Sequence, residues 1–247
     1  MTEAPFLSVV IPARNEAENV RPLVAEVRQA LDGAFDYELI YVDDGSTDAT
    51  FETLKALVAG GFDRLRVLRH GKSTGQSFAV LTGARVARGT WLVVLDADGQ
   101  NDPADIPGMV RMVLGEQARD PRVVGVIGHR VNRRDDWVKR VSSRVANSFR
   151  NAMLKDGVPD VGCGLKAVRL DWYLRLPAFD HMHRYVPTLV QARGGIMKVH
   201  PVNHRPRMAG SSNYGVWNRL WVGLVDVLGV YWLKRRSKDV VVTEVLP

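Results

Sequence analysis

Cysteine is nearly missing from this 247-residue chain, where Cys163 stands alone. One thiol excludes an internal disulfide and any multi-cysteine metal site, and it fits a reducing, cytoplasmic compartment. The first residues, MTEAPFLSVVIP, lack a basic region followed by an apolar stretch, so no secretory leader is expected. No run approaches the roughly 18 uncharged apolar residues that a bilayer span requires. Two nucleotide-binding signatures are absent as well. GKST at 71–74 ends like a P-loop, but that pattern needs a glycine five residues before the Gly71–Lys72 pair, where Arg66 stands. PARNEAEN follows the first expected strand in place of G-x-G-x-x-G, which argues against a dinucleotide-dependent oxidoreductase.

What is present is enough for one good core, or one domain with a sizeable appendage: 46% of residues are hydrophobic and 25% charged. The net charge is +7, from 34 basic and 27 acidic residues, and the pI is about 9.7. Such a balance favours anionic partners: phosphorylated small molecules, an acidic membrane surface or nucleic acid. FLSVVIP, YELIYVD, LRVLRH, TWLVVLDAD and RVVGVIGHR read as strands. Between them lie helical patterns, the first carrying Val20, Leu23, Val24, Val27 and Leu31, others over 47–58, 75–87 and 104–114. Such alternation predicts an α/β sandwich with a mostly parallel, Rossmann-like central sheet, whose ligands bind at the carboxyl ends of the strands. Beyond about residue 129 the pattern changes to Arg-rich helices, a glycine-containing loop VGCGLKA, a helix around 183–193 and a short strand IMKVHPV. This last third reads as an elaboration on the core.

The strand-end rule singles out two acidic pairs. WLVVLDADGQ places Asp96 and Asp98 where a buried strand reaches water, and in an extended backbone two such side chains share one face. A turn accounts for isolated aspartates there, yet a second pair, Asp43 and Asp44 of VDDGSTD, ends another strand. Carboxylates at 43 and 44 suit hydrogen bonds from a base or ribose hydroxyls, while Ser46, Thr47 or Asp48 are candidates to cap the following helix. With a basic remainder of the chain, the economical reading of 96 and 98 is a Mg²⁺ or Mn²⁺ site that neutralises a diphosphate.

VVIPARNEAENV, VDDGSTD, GQSFAVLTGARVARGTWLVVLDADGQNDP and CGLKA, in this order and spacing, resemble the family two inverting glycosyltransferases of the GT-A fold. The similarity covers roughly residues 6–215 and is greatest to the polyprenyl-phosphate branch typified by dolichol-phosphate mannose synthase. The resemblance implies that Pro12, Arg14, Glu16, Asp43, Asp44, Gly75, Asp96, Ala97, Asp98 and Arg207 contact the nucleotide sugar. It places Asp96 and Asp98 at the metal, with Gln100 beside the metal and diphosphate. HRPRMAGSSNYG resembles the family loop R-x-x-G-x-S-K through Arg207, Gly210 and Ser212, with Asn213 in place of lysine. Lys139 and Ser143 match the branch's R-x-x-x-S acceptor element with Lys for Arg, and Arg140 sits beside them.

Arg130, Arg133, Arg134, Lys139, Arg140, Arg144, Arg150, Arg205 and Arg207 concentrate positive charge after the acidic site. Each alone is accounted for by a solvated helix face; together they suit a lipid monophosphate, which guanidinium groups bind bidentately. Arg130, Arg133, Lys139, Arg140 and Ser143 are therefore the expected acceptor-phosphate residues, with Asp96, Asp98, Gln100, Arg130 and Arg207 as the catalytic set. A phosphate whose second pKa is near ~6 is largely a dianion at neutral pH and needs little help from a base. A sugar hydroxyl acceptor would need one, and FDHMHRY offers only Asp180, itself a candidate helix cap, and the histidines 181 and 183.

Residues 214–236 pack Trp217, Trp221, Tyr231 and Trp232 among aliphatics and end in a basic cluster, with Asn218, Arg219 and Asp226 against a span. This suits the membrane interface, and equally a helix that docks on the core or forms a homo-oligomer contact. The expected organisation is a catalytic domain over 1–213, with a nucleotide-sugar half to about 128 and an acceptor half from 129, then a C-terminal helix and tail over 214–247. The expected activity moves a sugar from a UDP- or GDP-linked donor to a polyprenyl phosphate at the cytoplasmic face of the membrane, through peripheral contact. A hydroxyl acceptor and a catalytically silent nucleotide-sugar or lipid binder stay open as alternatives. Nucleic acid is not an expected partner, because the basic residues follow an acidic site and no recognised module is present.

Overall fold

β1 (Leu7–Ala13) and β2 (Tyr37–Asp43) are buried along nearly their whole length, as parallel strands covered on both faces must be. The computed structural model describes residues 6–131, 150–207 and 216–236, with backbone alone for 216–222. The further elements are α1 (Ala17–Leu31), α2 (Thr50–Ala59), β3 (Leu65–Arg69), α3 (Gln76–Val86), β4 (Trp91–Val94), α4 (Ile106–Arg119), β5 (Val123–Arg130), β6 (Lys166–Arg169), α5 (Leu170–Leu174), α6 (Val186–Gln191), β7 (Ile196–Val202) and α7 (Val216–Arg236). The strands form one sheet in the order β3-β2-β1-β4-β6-β5-β7. All pairings are parallel except those of β6, which runs against both β4 and β5.

The core lies in the sheet and under its helices, with Val9, Val10, Ile11, Leu39, Ile40, Leu92, Val93 and Ile127 all but fully buried. α3 rests directly on β1. A Cβ at Gly83 would stand 2.5 Å from Val10 Cγ1, so only glycine lets the helix approach this closely.

Several sequence expectations shift. β4 stops at Val94, so Asp96 and Asp98 lie in the turn after the strand rather than along it, and the shared-face argument does not apply. β6 begins inside VGCGLKA, expected to be loop, and α5 follows it directly. The helix expected at 183–193 is divided into a 3₁₀ turn, Met182–Arg184, and the short α6, after His181 takes a left-handed φ of 62°. α7 docks through buried Val227 and Val230, Asp226 lies 3.0 Å from His181 Nδ1, and Lys234 donates to the carbonyl of Leu154 at 2.6 Å. Its other face leaves Val225, Leu228 and Trp232 at least half exposed. No described helix is long and apolar enough to cross a membrane.

Candidate active site at the carboxyl edge of the sheet

The turns after β1 and β2 clasp each other. Asn15, at φ 57°, donates its N–H to Ser46 Oγ (2.9 Å) and accepts from Thr47 N (2.8 Å). Glu16 N donates to Thr50 Oγ1 and Ala17 N to Asp48 Oδ2. Asp48 therefore serves both helices: its Oδ2 satisfies the start of α1 across the gap, and its Oδ1 accepts from Thr50 N at 2.9 Å, the first residue of α2. Arg14 is exposed on the β1 turn, and Pro12 is half-buried near the end of β1 itself.

Asp43 is fully buried. Its Oδ1 accepts from Ser46 N, and Arg69 Nε lies 3.1 Å from Oδ2. Asp44 holds the loop that leads into α3: it accepts from Ser73 Oγ (2.7 Å), Thr74 N (2.8 Å), Thr74 Oγ1 (3.1 Å) and Gly75 N (2.9 Å), with His70 Nδ1 at 2.7 Å. Burial alone would raise its pKa; these donors outweigh it and hold the carboxyl down to about 2. The resemblance implies a nucleotide contact for Asp44; in this structure its carboxylate holds the 73–75 loop, with His70 beside it.

Asp96 is supplied differently. Gln76 Nε2 donates to Oδ1 at 2.7 Å and Asn101 Nδ2 to Oδ2 at 3.4 Å, both neutral side-chain amides. Desolvation, then the charge of Asp98, raises its pKa, while Lys166 and Arg130 work the other way. A Cβ at Gly164 would fall 1.9 Å from Asp96 Oδ2, so the CGLKA glycine makes room for the carboxylate. Ala97 is buried between the two aspartates, and Asp98 Oδ1 accepts from Gln100 N at 3.1 Å.

The cation facing these carboxylates comes from the far end of the chain. Arg207 Nη2 lies 2.9 Å from Asp98 Oδ2 and its Nη1 3.4 Å from Glu16 Oε1, joining the β1 and β4 turns. Burial raises the pKa of Glu16, against the hydrogen bond from Asn19 and the charge of Arg207. Arg205 anchors the same segment. It forks onto Glu26 at 2.7 and 3.1 Å and donates to the carbonyls of Gly99 and Asn101. Gly210, Ser212 and Asn213 lie outside the described residues.

On the acceptor side, Arg130 arrives already paired. Its Nε and Nη2 donate to Asp160 at 2.7 and 2.8 Å, so in this structure the guanidinium expected at the acceptor phosphate is held by a carboxylate. Arg150 is likewise buried against Asp156 and the Val158 carbonyl. Arg133, Arg134, Lys139, Arg140, Ser143 and Arg144 lie outside the described residues. Asp180 is exposed and accepts from His181 N, with the His181 ring Nε2 3.7 Å from its Oδ2, and its Oδ1 is 3.3 Å from where a Cβ on Gly75 would stand. His183 Nδ1 sits 2.7 Å from Ser77 Oγ, and burial, then the charge of Lys166, pushes the ring well below the usual histidine range.

Sequence reasoning missed Gln76, Asn101, Asp160 and Lys166. CGLKA carried a signal for the last of these, since it holds Gly164 and Lys166 together. Whether the acidic pair fits a divalent cation is decided by its donors. Among the described residues no group of three or more His, Cys, Asp or Glu forms a ligand cage. Two half-buried carboxylates, one supplied only by neutral amides and the other facing an arginine, fit a hard cation that completes its shell with substrate oxygens and water.

A mostly parallel sheet with acidic turns at its carboxyl edge and an arginine folded back over them defines the GT-A class of glycosyltransferases. The chain belongs to glycosyl transferase family 2, whose model matches residues 8–176. It is 34% identical over 236 residues to a dodecaprenyl-phosphate galacturonate synthase of Rhizobium johnstonii, covering 93% of this chain and 67% of that protein. It is 33% identical over 215 residues to an undecaprenyl-phosphate 4-deoxy-4-formamido-L-arabinose transferase of Edwardsiella ictaluri, covering 85% and 63%. The chain thus spans about two thirds of the length of these curated relatives. Among solved structures, it superposes on glucosyl-3-phosphoglycerate synthase of Mycobacterium tuberculosis in complex with Mn²⁺, UDP and glucosyl-3-phosphoglycerate, with TM-score 0.68, 19% identity and coverage of 95% and 81%. A mannosyltransferase of Pyrobaculum calidifontis in complex with GDP-Man and Mn²⁺ gives TM-score 0.66, 21% identity and coverage of 96% and 66%.

Proposed function

We propose that this chain transfers a sugar, with inversion, from a nucleoside-diphosphate sugar to a polyprenyl phosphate. The observation that carries the reading is the bridge from Asp98 through Arg207 to Glu16 beside Asp96, a site of matched charge for a diphosphate and its cation. The names of the two curated relatives support the acceptor class. Asp96 and Asp98 would hold Mg²⁺ or Mn²⁺, which supplies charge neutralisation at the leaving diphosphate. Arg207 would offset part of the same negative charge.

The acceptor phosphate attacks the anomeric carbon in line and needs no base. Asp180, exposed near Gly75, is the observation behind a second reading with a hydroxyl acceptor, in which it takes the proton. Residues 1–213 form the catalytic part in this proposal and 214–247 an interfacial element. Val225, Leu228 and Trp232 on the outer face of α7, followed by Arg235 and Arg236, suit peripheral contact with an anionic cytoplasmic leaflet.

The test is release of nucleoside diphosphate from a panel of UDP- and GDP-sugars with Mg²⁺ or Mn²⁺, with and without short-chain polyprenyl phosphate. Lipid-dependent release that EDTA abolishes is the expected result. Metal-dependent donor binding with no response to lipid phosphate moves the acceptor to a hydroxyl and gives Asp180 its role.

A further inference from the structure

Residues 203–207, which follow β7, lie across the turn that carries the acidic pair and bond to it repeatedly. Asn203 N and Nδ2 donate to the Asp105 carboxylate at 2.7 and 3.1 Å, just before α4. His204 pairs with Asn101 in an isolated antiparallel bridge. The Arg205 N–H donates to the Gln100 carbonyl at 3.0 Å, its Nε to that of Gly99 at 3.2 Å and its Nη2 to that of Asn101 at 3.3 Å. One residue thus takes three consecutive carbonyls directly after Asp98.

The same guanidinium forks onto Glu26 of α1 at 3.1 and 2.7 Å, so Arg205 ties the turn after β4 to the first helix. Arg207, on the same strap, joins those two segments again, from Asp98 to Glu16, which precedes α1. A guanidinium can hold a carboxylate and two carbonyls at once because its donors lie in one rigid planar fork, whereas an ammonium is a point charge. The sequence groups Arg205 with cations for an acceptor phosphate; in the structure its donors are directed at the protein.

We propose that Arg205 is a positioning residue for the donor's diphosphate: its fork on Glu26 and its bonds to the Gly99 and Asn101 carbonyls set where Arg207 stands relative to the Asp98 turn. The inference rests on the donor site proposed above. Arg205 acts through Arg207 and not by touching substrate. Its loss leaves Arg207 and Asp98 in the chain but no longer fixes one against the other, and a charge that must be rearranged on binding stabilises a diphosphate less than one already in place. The nucleoside, which belongs to the β1 and β2 turns in the same reading, is bound without this strap, so the nucleoside monophosphate serves as the control.

The experiment measures binding of UDP, UMP, GDP and GMP to the full chain with Mn²⁺ by calorimetry, for the wild type, Arg205→Met, Arg205→Lys, Glu26→Gln, Arg207→Met and the double variant Arg205→Met with Arg207→Met. For the base that binds, the wild type should prefer the diphosphate over the monophosphate by about tenfold or more. Arg205→Met should shrink that gap to about threefold with monophosphate affinity retained. Arg205→Lys should do the same, because charge without the fork does not hold the strap. Glu26→Gln keeps the carbonyl bonds and should shrink the gap less. Arg207→Met should also shrink it to about threefold, and adding Arg205→Met should then change little, as for residues that act as one unit. If the Arg205 variants weaken monophosphate and diphosphate by one common factor, or lower only the melting temperature, Arg205 supports the fold alone and the proposal is wrong. It is equally wrong if Arg205→Lys keeps the full gap, or if the two single effects multiply in the double variant. Should Arg205→Met not fold, Glu26→Gln carries the test, and an unchanged gap there overturns the proposal. If neither UDP nor GDP binds the wild type, or neither outbinds its monophosphate, the donor site itself is refuted and this inference with it, a result visible before any variant is compared.

Discussion

Asp44 and Asp96 follow the two strands that flank β1, at the same edge of the sheet, and the fold treats them in opposite ways. Asp44 receives two backbone N–H groups, two hydroxyls and a histidine, and its carboxyl is held down to about 2. Asp96 receives two side-chain amides, and burial with Asp98 alongside pushes its pKa up. One carboxylate is finished by protein donors and serves as the clasp of the 73–75 loop. The other is left short of positive charge, the condition of a group that binds a cation. Strand position alone does not separate the two aspartates; the number and charge of the donors that other segments send to each does.

The comparison breaks most visibly through function. Asp96→Asn should lower sugar transfer by on the order of 10³-fold, because it removes a charge from the cation and diphosphate site. The same variant, unfolded by heat in EDTA, should be no less stable than the wild type, since a carboxylate with a raised pKa is a cost to the folded state at neutral pH. A large loss of stability would mean that Asp96 is a clasp like Asp44. A smaller effect is expected from Gly164→Ala, whose Cβ would fall 1.9 Å from Asp96 Oδ2. Overpacking of this kind costs about 1–3 kcal/mol, and transfer should fall about 10 to 100-fold as the carboxylate is displaced. Unchanged turnover in Gly164→Ala would show that the position of Asp96 is not tightly set.

Much of this fold was legible in advance because its signals are local. YELIYVD and IMKVHPV coincide with β2 and β7, and both acidic pairs were found from runs of apolar residues that end in Asp. β6 was not legible. It is four residues long, begins with lysine, and owes its burial to antiparallel pairing with β4 and β5, which nothing in VGCGLKA announces. The long-range partners were hidden for the same reason: Gln76 reaches Asp96 across 20 residues, Asp160 meets Arg130 across 30 and Arg205 meets Glu26 across 179. Residue types were readable; which of them the fold brings together was not. The arginine cluster shows the cost, because counting cations could not reveal that Arg130, Arg150 and Arg205 each have an acidic partner.

The smallest effect sharpens the comparison through its pH dependence. A shift of the Asp44 carboxyl from 3.8 to about 2 corresponds to about 2 kcal/mol of stability. Asp44→Asn should therefore lower the unfolding free energy at pH 7 by about that amount, with nucleotide binding weakened only as far as the 73–75 loop loosens. The sign follows from a depressed folded-state pKa: the stabilisation is complete above 3.8, the unfolded value, and is lost as pH falls toward 2. In urea titrations the gap between wild type and Asp44→Asn should stay level from pH 7 to about 5 and narrow below about 4. Asp96 has the opposite sign. Its raised pKa makes the wild type gain on acidification, so any advantage of Asp96→Asn at neutral pH should fade as the solution becomes acid. If both gaps stayed constant down to pH 3, hydrogen-bond geometry rather than charge would separate the two carboxylates, and the electrostatic account of the binding site would lose its basis.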